Sequence, residues 1–245
     1  FKIGAGGETL LLTNGNGLLI SGGPSVNLAE DTSYGRQPDG TGSWFFFDTP
    51  TPGASNVETG STTSLEPPTF SHTSGLYTDN FNLILSTDTQ GATIVYTLDG
   101  SEPDINNLNG SSFQYKNDYP YEVGDSFGAM LNQSYQSFSY TGPITMRDRS
   151  NDEDVLARKN TVGADIYIPP VKLRKATVLR SKVFLNGKGS RTRTRNYFIW
   201  ANGNPYNVPI LSLTTFEGNL FDYEKGIYTP GKIFDDFRIE EPNTN

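Results

Sequence analysis

Hydrophobic and polar positions alternate in short runs along most of this chain, and turn-forming residues separate the runs. The clearest run is Thr93-Ile94-Val95-Tyr96-Thr97-Leu98, β-branched, aromatic and alternating, as a half-buried pleated strand requires. It ends in Asp99-Gly100-Ser101-Glu102-Pro103, where Asp-Gly supplies a tight turn and the proline stops further ladder pairing. Phe81–Ser86 alternates in the same way. Ala176–Phe184 and Arg191–Ile199 flank Asn186-Gly187 and predict a hairpin. Nearer the start, Thr9–Leu12 and Leu18–Ile20 flank Asn14-Gly15-Asn16-Gly17, a second hairpin signal, and Phe1-Lys2-Ile3 predicts a strand before Gly4-Ala5-Gly6-Gly7. Asn207–Leu213 reads as a buried strand. Few runs have helical spacing, so the pattern predicts an all-β chain built from small sandwiches.

Composition agrees: 26 Gly, 15 Pro, 15 Phe and 13 Tyr in 245 residues suit many turns and aromatic-rich strands. The length allows two domains, or one with large extensions. With no Cys and a single His, His72, disulfides and cysteine-ligated zinc are excluded, and His72 reads as structural. The net charge of −8 argues against nucleic acid as a partner. No apolar run approaches the roughly 20 residues of a membrane span. Phe1-Lys2-Ile3 has neither the basic start nor the apolar core of a signal peptide, and reads as the middle of a domain.

Three sets of motifs divide the chain. In residues 1–56, Ser33-Tyr34-Gly35-Arg36-Gln37-Pro38-Asp39-Gly40, Trp44 and Thr51-Pro52-Gly53-Ala54-Ser55-Asn56 resemble the C-terminal half of a bacterial lamin-tail domain. That resemblance implies a half-sandwich that is completed by strands from elsewhere or docks on the neighbouring domain. Residues 57–66 are small and polar, a linker. In residues 67–199, Tyr96-Thr97-Leu98-Asp99-Gly100-Ser101 with Pro103, followed by Tyr140 and Pro143-Ile144, resembles the immunoglobulin-like domain at the C-terminus of chitobiases and β-hexosaminidases. Two inserts, at about 104–139 and 146–170, interrupt it. In residues 200–245, Asn207–Leu213 and Asn219-Leu220-Phe221-Asp222-Tyr223-Glu224-Lys225-Gly226-Ile227-Tyr228 resemble the entry segment of the spore-coat H (CotH) kinase-like family. The resemblances together imply immunoglobulin-like sandwich modules in tandem, followed by a short C-terminal extension, in a secreted or cell-surface bacterial protein.

Candidate chemistry is sparse. Arg36 and Asp39 could form a catalytic or binding pair, or close a turn beneath Trp44. Arg36, Asp39, Trp44, Tyr96, Asp99 and Gly100 otherwise read as structural motif residues. Asp148, Ser150, Asp152 and Asp154 place oxygens at alternate positions, as a Ca2+ loop does, but without its turning glycine; a solvated acidic loop is the alternative. No acidic residue lies between Asp165 and Glu217, where nine of the 19 basic residues fall. Arg191, Arg193 and Arg195 alternate, with Arg180 and Lys182 on the hairpin partner. They suggest a basic face for an acidic glycan or protein, or charges that guard a sheet edge. The first insert carries Tyr115, Tyr119, Tyr121, Phe127, Tyr135 and Phe138, which could bind sugar through their ring faces or pin a long loop onto the sandwich. The CotH resemblance gives Asp222 and Lys225 no catalytic role, and no phosphate-binding loop is present.

The expectation is a non-catalytic accessory segment that spaces or attaches modules, with a glycan as candidate ligand and no resident cofactor. Two alternatives stand beside it. One is an accessory arm of a CotH-like kinase whose catalytic residues lie beyond Asn245. The other is a self-assembling protein that completes its N-terminal sandwich from another copy.

Overall fold

A computed structural model describes residues 7–26, 28, 32–62, 64–120, 124–159 and 169–240. The chain forms two compact units, residues 1–66 with 185–191 and residues 67–184 with 192–245. The predicted strand at Phe1-Lys2-Ile3 lies outside the described residues.

In the first unit, β1 (Leu10–Thr13) pairs antiparallel with β2 (Leu19–Gly23). Asn14 Oδ1 accepts from the amides of Asn16 and Leu18 at 3.0 and 2.9 Å, as the Asn-Gly pattern predicts. β3 (Ser33–Gln37) pairs with β4 (Ser43–Phe47), and Tyr34 stacks on Trp44 with ring centroids 5.3 Å apart.

The second unit is an all-β, immunoglobulin-like sandwich. Its opposing layer contains β5 (Thr69–Phe70), β7 (Phe81–Leu83), β8 (Leu85–Ser86) and β13 (Ile144–Met146), paired as β5–β8 and β7–β13. The main sheet adds β6 (Gly75–Tyr77), β9 (Thr93–Thr97), β12 (Phe138–Ser139), β14 (Ala176–Leu185) and β16 (Arg193–Ile199) in the order β12-β9-β14-β16-β6; β15 (Lys188–Gly189) pairs with β14. In this sheet β6 runs parallel to β16, whereas β12 with β9, β9 with β14 and β14 with β16 pair antiparallel. Asn186 and Gly187 take φ of 51° and 80°, the left-handed pair that a two-residue hairpin turn needs. Leu83, Leu85, Ile94, Met146, Leu179, Val183, Tyr197 and Ile199 fill the space between the layers.

Outside the sandwich, the first insert folds into a hairpin, β10 (Ser111–Lys116) with β11 (Met130–Tyr135). The C-terminal segment adds α1 (Gly218–Phe221) and α2 (Lys232–Glu240), helices that the strand-like patterning did not predict. The expected strand at Asn207–Leu213 does not form. The segment has no ladder partner, Pro209 removes an amide donor, and Leu211 and Leu213 are more than four-fifths exposed.

Candidate functional site

The Asp99-Gly100 turn is the junction of the second unit. Asp99 Oδ1 accepts from the Ser101 amide at 2.9 Å, and Oδ2 accepts from the Gln136 amide at 3.1 Å, which fixes the corner between β11 and β12. Buried Thr97 donates to the Ser101 carbonyl at 2.7 Å. Gly100, at φ 78°, lies so close to the C-terminal segment that a Cβ would stand 2.5 Å from the Thr215 carbonyl oxygen. The glycine therefore answers both to the turn and to a crossing chain.

Glu102, in the same turn, supplies the acid that the basic stretch lacked. Its carboxylate pairs with Arg180 and with Lys182 (2.7 Å for the latter) and accepts from the Thr192 hydroxyl. Burial pushes the Glu102 pKa upward, but Lys182, Thr192 and Arg180 outweigh that and hold it below the ordinary carboxylate value. The single basic face expected from the sequence is not built. Register pairs Arg193 with Ser181 and Arg195 with Leu179, so both arginines share the sheet side of the core residues, whereas Arg180 and Lys182 lie on the other side. Arg193 donates to the Pro68 carbonyl at 3.2 Å, and Arg195 lies 5.7 Å over the Phe70 ring. Arg191 falls in the first unit.

Beyond the turn, two buried lysines join the insert to the C-terminal segment. The Lys116 side chain, 3% exposed, pairs with Asp235 of α2, 7% exposed, and lies over the Tyr223 ring at 5.2 Å. Tyr223 donates its hydroxyl to Asp235 at 3.0 Å and its amide to the Gln114 carbonyl at 2.8 Å. Burial, together with the Asp235 carboxylate, pushes the Tyr223 phenol up to about 12. Lys159, also 3% exposed, pairs with Glu217 at 3.0 Å and lies 4.2 Å over the Tyr115 ring and 4.8 Å over Phe221. Phe216 completes the contact, 5.4 Å from Phe113 and 4.7 Å from Tyr135.

These contacts settle where the insert's rings go. Tyr115 lies beneath Lys159, and Tyr119 is buried with its hydroxyl donating to the Lys116 carbonyl at 2.8 Å; burial raises its pKa. Tyr119 is thereby closed to a ligand, and the Lys159 ammonium covers one face of half-buried Tyr115. Tyr121 lies outside the described residues. Phe138 instead lines an open cleft of about 720 Å3 between the Asp99 turn and the β10–β11 hairpin, with Tyr135 at its edge and its ring packed on Phe216. Its rim carries Asn109, Ser112, Ser134 and Gln136. Sequence reasoning named the two rings but missed those polar partners, which only the hairpin pairing Ser112↔Ser134 brings together.

The acidic loop is held by ion pairs. Asp152 takes Arg147 and Arg149 at 2.9 Å each, and hydrogen bonds from the two guanidinium groups hold its pKa at about 2. Asp154 pairs with Lys175 at 2.7 Å and Asp148 accepts from the Ser150 amide at 2.8 Å; both carboxyls stay below their ordinary pKa. Among the described residues no group of three or more His, Cys, Asp or Glu side chains could hold a metal ion. The three carboxylates are thus held by neighbouring cations and backbone, which differs from the Ca2+ geometry their spacing suggested.

Arg36 and Asp39 are not joined to each other. Arg36 lies 5.0 Å over Trp44 and donates to the Gly42 carbonyl at 2.9 Å, while Asp39 accepts from the Asn56 side chain at 3.0 Å. Asn56 also donates to the Arg36 carbonyl at 3.1 Å, so it clamps the turn that an Arg–Asp pair was expected to close. His72 stacks on Phe81 with centroids 4.2 Å apart. Asp222 accepts from the amides of Glu224 and Lys225, both at 2.9 Å, a turn without further chemistry.

A family model described as the chitobiase/beta-hexosaminidase C-terminal domain matches residues 72–125. The match covers β6 to β9, the Asp99-Gly100 turn and the first half of the insert, and the sandwich continues beyond it to β16. No curated protein and no solved structure matches the chain. Residues 72–125 are thus similar to a domain found at the C-terminus of chitobiases and β-hexosaminidases.

Proposed function

We propose that the chain is a non-catalytic accessory segment of a secreted or surface protein, and that it orients its C-terminal segment rigidly on the sandwich. The observation that carries this reading is the buried Lys116–Asp235 pair, which joins residues 119 positions apart. A buried charge left without its partner is costly, so such a pair fixes one arrangement of the two elements. The matched domain supports the accessory role. The CotH resemblance of residues 207–228 extends the reading to an arm of a kinase-like protein. α2 supports that extension, since it turns Asp235 inward and leaves Ile233 83% and Phe237 52% exposed, as a helix covered by a further domain would.

Backbone 15N relaxation on the full chain tests the coupling. Residues 218–240 should tumble with the correlation time of β9 and β14; independent nanosecond motion of the segment would sink the proposal.

A second reading, self-assembly through the first unit, is favoured by β1 and β2, where Leu11, Leu12 and Leu19 are 66%, 60% and 55% exposed. A monomeric mass by light scattering at micromolar concentration would remove it.

A further inference from the structure

The cleft beside the Asp99 turn is a separate feature from the lysine-bound junction, and its lining describes a ligand. Phe138 is 39% exposed and Leu98 36% exposed, so two apolar faces meet solvent at its wall, with Tyr135 half-buried beside them. Around them stand short neutral donors and acceptors: the hydroxyls of Ser112 and Ser134 and the amides of Asn109 and Gln136. No lysine or arginine lines the cleft among the described residues, and its one acid, Asp99, has both oxygens committed to the backbone amides of Ser101 and Gln136. An anionic ligand would find no cation, and a cationic ligand no free carboxylate. A flat apolar face ringed by neutral hydroxyls and amides matches a pyranose ring, whose C–H face stacks on an aromatic while its hydroxyls need partners at the edge.

We infer that this cleft binds a neutral oligosaccharide, with Phe138 as the stacking platform and Asn109, Ser112, Ser134 and Gln136 as the polar rim. A peptide added along the sheet edge fits less well, because the edge strand β12 has only two residues to offer a ladder. The cleft is also held in shape before any ligand arrives. Gln136 donates its side-chain amide to the Leu108 carbonyl at 2.6 Å, and Ser111 donates to Asn107 Oδ1 at 2.7 Å, so both the rim and its supports are preorganised. The inference does not depend on the rigid junction: a mobile C-terminal segment could still coexist with sugar binding, and a rigid one with none.

The test is a titration of the full 15N-labelled chain with chitotetraose, cellotetraose, xylotetraose, mannotetraose and maltotetraose in turn. At least one should saturate shifts at the amides of residues 98, 109–112 and 134–138. Phe138→Ala should weaken that binding about tenfold through loss of the stacking face. Phe138 also packs 5.5 Å from Tyr96, so its truncation could disturb the sheet. Ser134→Arg therefore serves as a second variant, since it fills the cleft from an exposed strand position and should abolish binding with β9 and β14 shifts unchanged. Absence of saturable shifts with every sugar overturns the inference, as do shifts that map elsewhere on the chain or binding that persists in both variants. Tighter binding of polygalacturonate than of every neutral sugar would overturn its claim of neutrality.

Discussion

Two hairpins lie outside the central sandwich, and they treat hydropathy in opposite ways. β1–β2 carries Leu11, Leu12 and Leu19, each more than half exposed. β10–β11 carries Lys116, and hides it almost completely between Asp235 and two aromatic rings. The difference lies in what each hairpin meets. Within its own unit, β1–β2 leaves most of its apolar side chains open to solvent. β10–β11 is covered by a segment that arrives from about a hundred residues later and brings a matched carboxylate, a phenol and a set of rings. Burial here follows the partner that the fold delivers, and the intrinsic hydropathy of a side chain is secondary. Helix α2 repeats the lesson, since it buries Asp235 and Arg238 and leaves Ile233 exposed.

The comparison breaks most severely at Asp235. Asp235→Ala leaves the Lys116 ammonium buried without its partner, and should lower the stability of the hairpin and C-terminal segment by about 3–5 kcal/mol in urea melts followed at Tyr223. Replacing both partners, as Lys116→Met with Asp235→Leu, should recover most of that loss, because neither charge is then stranded. If the double variant is as damaged as the single one, packing rather than charge pairing holds the junction.

A smaller effect sharpens the picture at high pH. The Tyr223 phenol sits at about 12 in the folded chain against an ordinary value of 10.0. The folded state therefore keeps the proton that the unfolded chain gives up first. The contribution is fully present below pH 10 and disappears as pH rises towards about 12. Absorbance at 295 nm should show the Tyr223 step, assigned by its loss in Tyr223→Phe, near the upper end of that window; a step near 10 would mean that the ring is not held by the junction.

The smallest effect belongs to the other hairpin. Leu11→Ser removes a side chain that is 66% exposed, so thermal melting of the isolated chain should move by no more than about 0.5 kcal/mol. A larger loss would reveal that the leucine is covered in solution.

Local signals were the legible part of the sequence. Asn14-Gly15-Asn16-Gly17, Asp99-Gly100 and Asn186-Gly187 each specify a turn through the backbone freedom of a few neighbouring residues, and each forms as read. The rings of the insert were recognisable as a group, but their division into packed Tyr115, Tyr119 and Tyr135 and cleft-lining Phe138 depends on a segment far along the chain. The acid that neutralises Arg180 and Lys182 was visible as Glu102, yet its assignment needed the register of β9 beside β14. Asn207–Leu213 misled because an apolar, β-prone run was read as a strand when no neighbouring strand was there to pair with it. What failed was in each case a long-range pairing, which spacing within a window cannot supply.

The most direct measurement of the junction is hydrogen exchange on the full-length chain, compared between wild type and Asp235→Ala. The account predicts faster exchange in Ser111–Lys116 and Met130–Tyr135 together with residues 218–223, while β9 and β14 keep their protection. Unchanged protection in the β10–β11 hairpin would contradict it, because the hairpin would then stand without the segment that is said to hold it.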